Sequence, residues 1–275
     1  MTGYVPLTHT PPPDLGDRSV DPLLDMLDLE QIDTDLYRGT LVFADRYALY
    51  GGQVAAQALR SAGLTVPAGR LPHSLHGYFL RPGDASRPTV FRVDRDRDGR
   101  SFSARRVVAI QNGDVIFNMS ASFHSPGSGQ DTQVADAPRV PGPRKCPQFT
   151  LPRLFSMEAR RTDDAEADVY CPTRFWARST SRLGEDPLLH ACVLTYLSDI
   201  TTGLFALEDA DNRAGASLDH AVWFHRPVRM DDWVLTDNAP HSVAAGRGWY
   251  TGSVFDGSGR LTASFAQEAL FRPVR

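Results

Sequence analysis

The sequence predicts an α+β fold of two like halves, each a curved antiparallel sheet wrapped around one central helix. Three observations carry this. One helical stretch is apolar over more than one stripe, so it must be enclosed by other structure, and a second carries alanines at helical spacing that allow close packing against a sheet. After each helix come short alternating runs joined by turn residues, the pattern of an antiparallel meander. The halves also repeat: His76-Gly77-Tyr78-Phe79-Leu80-Arg81-Pro82 answers His220-Ala221-Val222-Trp223-Phe224-His225-Arg226-Pro227, and Ala121-Ser122-Phe123 answers Ala263-Ser264-Phe265, at offsets of 145 (226 − 81) and 142 (263 − 121).

Size and composition set the bounds. The 275 residues are 41% hydrophobic and 23% charged, with a formal net charge of −4, which gives no basic field for nucleic acid. Three widely spaced cysteines, Cys146, Cys171 and Cys192, suit reduced thiols in a cytoplasm and offer neither a disulfide framework nor a metal-binding pair; Cys192 reads as core filler. No run approaches the roughly 18 apolar residues of a membrane span, so no membrane insertion is expected. The expected division is a disordered arm at 1–20, where Pro11-Pro12-Pro13 stands in place of a signal peptide's apolar segment, a first unit at 21–125, a linker at 126–148 and a second unit at 149–275. The terminal Arg272-Pro273-Val274-Arg275 carries no retention or peroxisomal address.

In chain order, a short amphipathic helical turn at Asp21 to Leu29 leads to a candidate edge strand, Leu36 to Thr40. A helix opens at Tyr50-Gly51-Gly52-Gln53, with Val54, Ala55, Ala58, Leu59 and Ala62 at helical spacing and Gly63 as the residue just past its end. Strands follow at Leu75–Leu80, Thr89–Arg95, Ser101–Gln111 and Val115–His124; Asp98-Gly99 and Asn112-Gly113 are two-residue turn signals for the last three. In the second unit, strands are expected at Tyr170–Thr180, Ala221–His225, Trp233–Thr236, Gly248–Phe255 and Leu261–Phe271, with Gly203–Gly215 as loop. The run Arg92 to Asp98, alternating in charge, reads as a solvated hairpin end.

The second helix begins with Asp186 as N-cap and Pro187 at the first helical position, where no N–H is needed. Leu188, Leu189, Ala191, Val193, Leu194 and Leu197 make it a core helix. Its end breaks the pattern, because Asp199 places a carboxylate at the negative pole of the helix dipole. The plain reading is a solvated terminus starting a turn; the functional one is a carboxylate with raised proton affinity acting as a base. A curved meander wrapping its helix is a hot-dog unit, and two units can pair edge to edge, leaving a crevice between the helices.

Several segments together resemble the acyl-coenzyme A thioesterase II family, the TesB-like double hot-dog enzymes. They are Gly51-Gly52-Gln53-Val54 with Gln57-Ala58-Leu59, His76 with Tyr78 to Asp84, Asp98 to Val107, Ala109 to Gly113, Ser217-Leu218-Asp219-His220 with Trp223 to Pro227, and Ala263-Ser264 with Gln267-Glu268. The resemblance runs in order from about Leu27 to Phe271. It implies acyl-CoA as partner, hydrolysis of the thioester by a held water without cofactor or metal, and a homo-oligomer. It maps the catalytic residues onto Asp199, Ser217 and Gln267, with Ser217 where family members carry Thr. The stretch between Asp199 and Ser217 is short against the family pattern.

A thioester needs no strong nucleophile, since its carbonyl is poorly resonance-stabilised and thiolate leaves well. Asp199 would accept the water's proton, Ser217 and Gln267 would orient the water, and an oxyanion donor would come from Gln267 or from the Gly51 and Gly52 amides at a helix N-terminus. Direct attack by Asp199 to form an anhydride is the less favoured route. Arg81 and Arg226 are candidates for CoA phosphates, although surface pairing explains them as well. Without the family, Gln267 could face solvent, Ser217 could simply turn a loop, and His76 and His220, at matching places in the two halves, point to a structural role. The alternatives are an acyl-CoA binding or sensing protein with a decayed site, and an enoyl-CoA hydratase using Asp186 and His190.

Overall fold

The structure, a computed structural model, describes residues 15, 19–45, 47–162, 172–200 and 202–274. Of the expected disordered arm, only Leu15, Ser19 and Val20 fall within that range, and Leu15 is buried in the core. Cys171 lies outside it, as do the first two residues of the strand expected from Tyr170.

The first unit contains α1 (Pro22–Leu27), β1 (Leu29–Asp33), β2 (Leu36–Gly39), α2 (Gly51–Gly63), β3 (Leu71–Phe79), β4 (Thr89–Asp98), β5 (Phe102–Gln111) and β6 (Asp114–His124). The second contains β7 (Gln148–Phe149), β8 (Met157–Arg161), β9 (Arg174–Ser179), α3 (Pro187–Ser198), α4 (Thr202–Phe205), β10 (Asn212–Phe224), β11 (Val234–Ala244), β12 (Arg247–Asp256) and β13 (Leu261–Pro273). The described strands form one antiparallel sheet in the order β1-β2-β4-β5-β6-β3-β10-β13-β12-β11-β9-β8-β7. The join is β3 against β10, so the edge-to-edge pairing expected from the repeat is a continuous hydrogen-bonded ladder. This is a double hot-dog.

Register shows the internal symmetry. His76 pairs with Ala221, the residues separated by the repeat offset of 145, and the flanking pairs Ser74↔Trp223 and Tyr78↔Asp219 are symmetric about it. A pseudo-twofold axis therefore passes through that pair. It also corrects the matching of His76 with His220, since alternation sends their side chains to opposite faces: His76 is exposed and stacks edge-on with Trp223, whereas His220 is buried.

Helices α2 and α3 lie side by side and antiparallel on the concave face. Arg60 near the end of α2 pairs with Asp186 at the start of α3, at 2.8 Å, while Gly51 and Gly52 at the start of α2 meet Tyr196 and Asp199 at the end of α3. Asp186 caps α3 as expected, accepting from the Leu188 amide at 3.0 Å. The stretch Pro187–Phe205 is long and apolar enough to cross a membrane by length and composition, which the reading by runs overlooked, and 81% of it is buried inside the protein as core. Gly63 departs from its expected role. It is the last helical residue of α2, not a left-handed cap, and a Cβ there would lie 2.4 Å from Leu188, so close helix packing explains the glycine.

Other expectations shift by particular turns. Asn112 (φ 52°) and Gly113 (φ 84°) make the two-residue hairpin, but β4 and β5 close across three residues, with the Gly99 amide donating to Phe102 O at 2.8 Å. Asp98 at the end of the charged run is held by the buried Arg105 at 2.8 Å. Strand β2 is interior, because the unforeseen β1 covers it. The expected loop 203–215 holds α4 and the start of β10. Much of the expected linker runs along the outer face of the second unit, where Trp176 Nε1 donates to Pro141 O at 2.9 Å.

Candidate active site

Asp199 caps the end of α3 and is 3% exposed. Ser217 Oγ donates to its Oδ1 at 2.6 Å and Gln267 Nε2 donates to the same oxygen at 2.7 Å; Gln267 Nε2 also donates to Ser217 Oγ at 2.6 Å. Three side chains far apart in sequence thus close a triangle of hydrogen bonds. Burial is the dominant influence on the carboxyl and pushes its pKa up to about 6, against hydrogen bonds from Ser217, Gln267 and the Gly52 amide and the nearby charge of Arg153.

The neighbouring helix resolves the misplaced charge. Asp199 sits at the negative pole of its own α3 but receives the Gly52 amide from the opening turn of α2, the positive pole of that helix. The approach needs glycine twice over. A Cβ on Gly51 would lie 2.4 Å from Asp199 Oδ2 and 2.8 Å from the Phe79 ring, and one on Gly52 would lie 2.5 Å from Tyr196 O. The seam between the halves is therefore built from both units.

Local strand geometry aims the other two groups. Ser217 lies in β10 between two register shifts, at Ala214/Ser217 and Ser217/Asp219, where irregular pairing turns its side chain toward Asp199. It is half-buried, the least buried of the three. Gln267 shares the inward parity of Ala263, Phe265, Ala269 and Phe271 in β13 and is fully buried. That parity was a legible signal: an amide at a core-facing strand position demands partners.

Sequence reading missed the aromatic and cationic surroundings. Tyr50 donates its hydroxyl to Tyr196 O at 2.9 Å, and burial together with the Asp199 charge pushes its phenol well up. Tyr196 accepts from the Phe155 amide at 2.8 Å. Arg153, in a loop at φ 64°, pairs with the buried Asp45 at 2.8 Å and lies 5.9 Å from the Tyr50 ring centre. No sequence motif marks Arg153, because its role comes from a loop conformation.

The remaining candidates are placed as follows. The Gly52 amide is committed to Asp199. Arg81 is exposed, donating to Val115 O at 2.8 Å with Asp114 at 3.8 Å. Arg226 is held by Asp131 and donates to Leu261 O at 2.6 Å. The hydratase pair is structural, with Asp186 capping and His190 sharing its ring nitrogens between Gly184 O at 3.1 Å and the Met230 amide at 3.0 Å. Cys192 is buried, its thiol pushed up to about 12 by burial. Among the described residues, no group of three or more His, Cys, Asp or Glu side chains is arranged to hold a metal ion.

Two family models match the chain, an acyl-CoA thioesterase N-terminal domain over residues 43–124 and an acyl-CoA thioesterase C-terminal domain over residues 131–271. Acyl-CoA thioesterase 2 of Haemophilus influenzae is 32% identical over 277 residues, covering 91% of this chain and 96% of the relative. Human acyl-coenzyme A thioesterase 8 is 32% identical over 279 residues, covering 90% and 88%. Among solved structures, an acyl-CoA thioesterase II, TesB2, from Mycobacterium marinum superposes with a TM-score of 0.78 at 39% identity, covering 92% of this chain and 98% of that one. With both domain models in order across a double hot-dog, this chain belongs to the acyl-CoA thioesterase family of thioester hydrolases.

Proposed function

We propose that the chain hydrolyses acyl-CoA thioesters with a water activated by Asp199 and oriented by Ser217 and Gln267. The observation that carries the reading is that Ser217 and Gln267 both donate to Oδ1 of one buried carboxylate whose pKa is about 6. Such a base is ionised at neutral pH yet basic enough to take a proton from water.

The water enters on the side of the half-buried Ser217 and attacks the thioester carbonyl carbon as its proton passes to Asp199. The carbonyl oxygen becomes an oxyanion, the tetrahedral intermediate collapses, the C–S bond breaks, and the CoA thiolate takes up the proton held on Asp199, which restores the base. The products are the free acid and CoA. With the Gly52 amide on Asp199, the Gly51 amide, at a position where an α-helix supplies no acceptor, is the donor best placed for the oxyanion. Of the two arginines considered for CoA phosphates, Arg81 suits the role better, since its carboxylate contact is long and exposed whereas Arg226 is closely paired.

The test is release of free thiol from a medium-chain acyl-CoA by the wild type and by Asp199→Asn. A drop of about 10² to 10⁴ in kcat is expected, the usual size of a general-base contribution. Hydrolysis untouched by the substitution would remove Asp199 from the mechanism. Tight binding without thiol release by the wild type would favour a sensor.

A further inference from the structure

His220 and Gln267 are directly opposite one another on β10 and β13, with both side chains turned into the core, 1% and 0% exposed. Opposed side chains in an antiparallel ladder have Cβ atoms about 5 Å apart, within reach of each other. Each carries one buried polar atom without a partner at strict hydrogen-bonding geometry, Nδ1 on His220 and Oε1 on Gln267. Two orphaned atoms on facing side chains call for a common explanation.

The hydrogens can be counted. Ser198 Oγ lies 2.7 Å from His220 Nε2 and 3.0 Å from Thr195 O, but it has one hydrogen to give. If that hydrogen goes to Thr195 O, Nε2 must carry the ring proton, and the bare Nδ1 then opposes Oε1, lone pair against lone pair. Turning the Gln267 amide over would relieve this, but it would aim Oε1 at the Asp199 carboxylate and strip Asp199 and Ser217 of their donor. If Ser198 instead donates to Nε2, the proton sits on Nδ1 and points at Oε1, and every group is matched. Only this tautomer keeps the amide nitrogen facing Asp199.

From this juxtaposition of facing orphaned atoms we propose that His220, neutral and protonated on Nδ1, is a positioning residue that locks the Gln267 amide with its nitrogen toward Asp199 and Ser217. It touches no reacting atom. It acts by excluding the inverted amide. This rests on the hydrolytic reading above.

The test is a double-mutant cycle on thiol release, with kcat and KM measured separately and folding checked by thermal melting. His220→Leu is expected to lower kcat by about 10- to 10²-fold, up to the cost of losing the donor itself, with little change in KM. On a Gln267→Ala background the same substitution should change kcat by less than about twofold, since its effect passes through the amide. If the two losses multiply, or if His220→Leu leaves kcat intact, the positioning role is overturned. Should His220→Leu fail to fold, His220→Asn and His220→Gln replace it. Asn keeps a donor where Nδ1 stood and should hold kcat within about threefold, while Gln keeps one only where Nε2 stood and should lose kcat as Leu would. The reverse order overturns the proposal. Full activity in Gln267→Ala alone would bring down the hydrolytic reading and this proposal with it, an outcome distinct from failure of His220 alone.

Discussion

Gly51 and Asp199 come from opposite halves of the chain, yet the glycine backbone runs so close to the carboxylate that an added Cβ would fall 2.4 Å from Oδ2. The other neighbour, the Phe79 ring at 2.8 Å, belongs to a packed core and yields little. Gly51→Ala should therefore displace the carboxylate and break the triangle with Ser217 and Gln267. A fall of about 10²-fold in kcat/KM is expected, the scale on which small misplacement of a reacting group acts. Overpacking against Phe79 should also lower stability by about 1 to 3 kcal/mol, because Gly51 opens the helix, where alanine's interior helix preference gives little relief. An unchanged kcat/KM in Gly51→Ala would show that this contact does not set the base.

With Asp199 as the proposed base, its raised proton affinity predicts a pH dependence of activity. The carboxyl must be ionised to act as base, so kcat/KM should rise with pH through about 6 and level off above it. Initial rates of thiol release between pH 4.5 and 8 read this directly. A midpoint near the ordinary carboxylate value of 3.8 would mean that the buried carboxylate is not the kinetic base.

Stability carries the same information with opposing signs. Asp199 keeps its proton up to about 6 in the fold but only to about 3.8 when unfolded, so between those values the folded chain binds more protons and stability falls as pH rises. Above pH 6 the cost is constant at about 3 kcal/mol. His220 runs the other way: burial lowers its pKa to about 4 from 6.5, so the unfolded chain binds more protons in that window and stability is lost as pH falls through it. The windows overlap and the effects largely cancel. Urea unfolding from pH 4 to 7 should give a nearly flat contribution from this pair in the wild type, with a steeper rise with pH in Asp199→Asn. That variant should also be more stable than wild type at neutral pH by about 1 to 3 kcal/mol while losing activity. Parallel curves for the two proteins would refute the compensation.

Much of this architecture was readable from local chemistry. Asp186 with Pro187 marked the start of α3, Asn112-Gly113 marked a hairpin, and the repeat marked two like units able to pair edge to edge, which they do through β3 and β10. What escaped was decided by tertiary contact. Gly63 looks like a helix stop in sequence and is a packing glycine because Leu188 lies against it. Ser217 looks like a turn residue, yet it sits in an irregular strand whose register is set by β13. The resemblance named Asp199, Ser217 and Gln267, but their shared hydrogen bonds depend on α2 of the other half, which no local pattern encodes.

Ser217 supplies a hydroxyl that donates to Asp199 and accepts from Gln267, both at 2.6 Å. Ser217→Thr keeps that hydroxyl and adds β-branching that suits a strand, so kcat should stay within about threefold and stability should hold or rise slightly. Ser217→Ala leaves Gln267 short of an acceptor and the carboxylate short of a donor, and kcat should fall by about 10- to 10²-fold. If Ser217→Ala matches the wild type in thiol release, the hydroxyl has no part in holding the water.

Gly63 and Leu188 test helix packing apart from chemistry. A Cβ on Gly63 would lie 2.4 and 2.5 Å from the two Leu188 methyl carbons. The contact joins the end of α2 to the start of α3, whereas the triangle of Asp199, Ser217 and Gln267 sits at the opposite ends of both helices, about 18 Å away for 12 residues at 1.5 Å each. Gly63→Ala should therefore destabilise the protein by about 1 kcal/mol, the overpacking cost less the helix gain. Leu188→Ala, which removes the clashing methyls, should cancel most of that penalty in the double variant, so that the two substitutions couple favourably in urea unfolding. Thiol release by folded Gly63→Ala should match the wild type. A loss of kcat without loss of stability would mean that the helix pair transmits strain along its length to Asp199, and that the two ends of the seam are not mechanically separate.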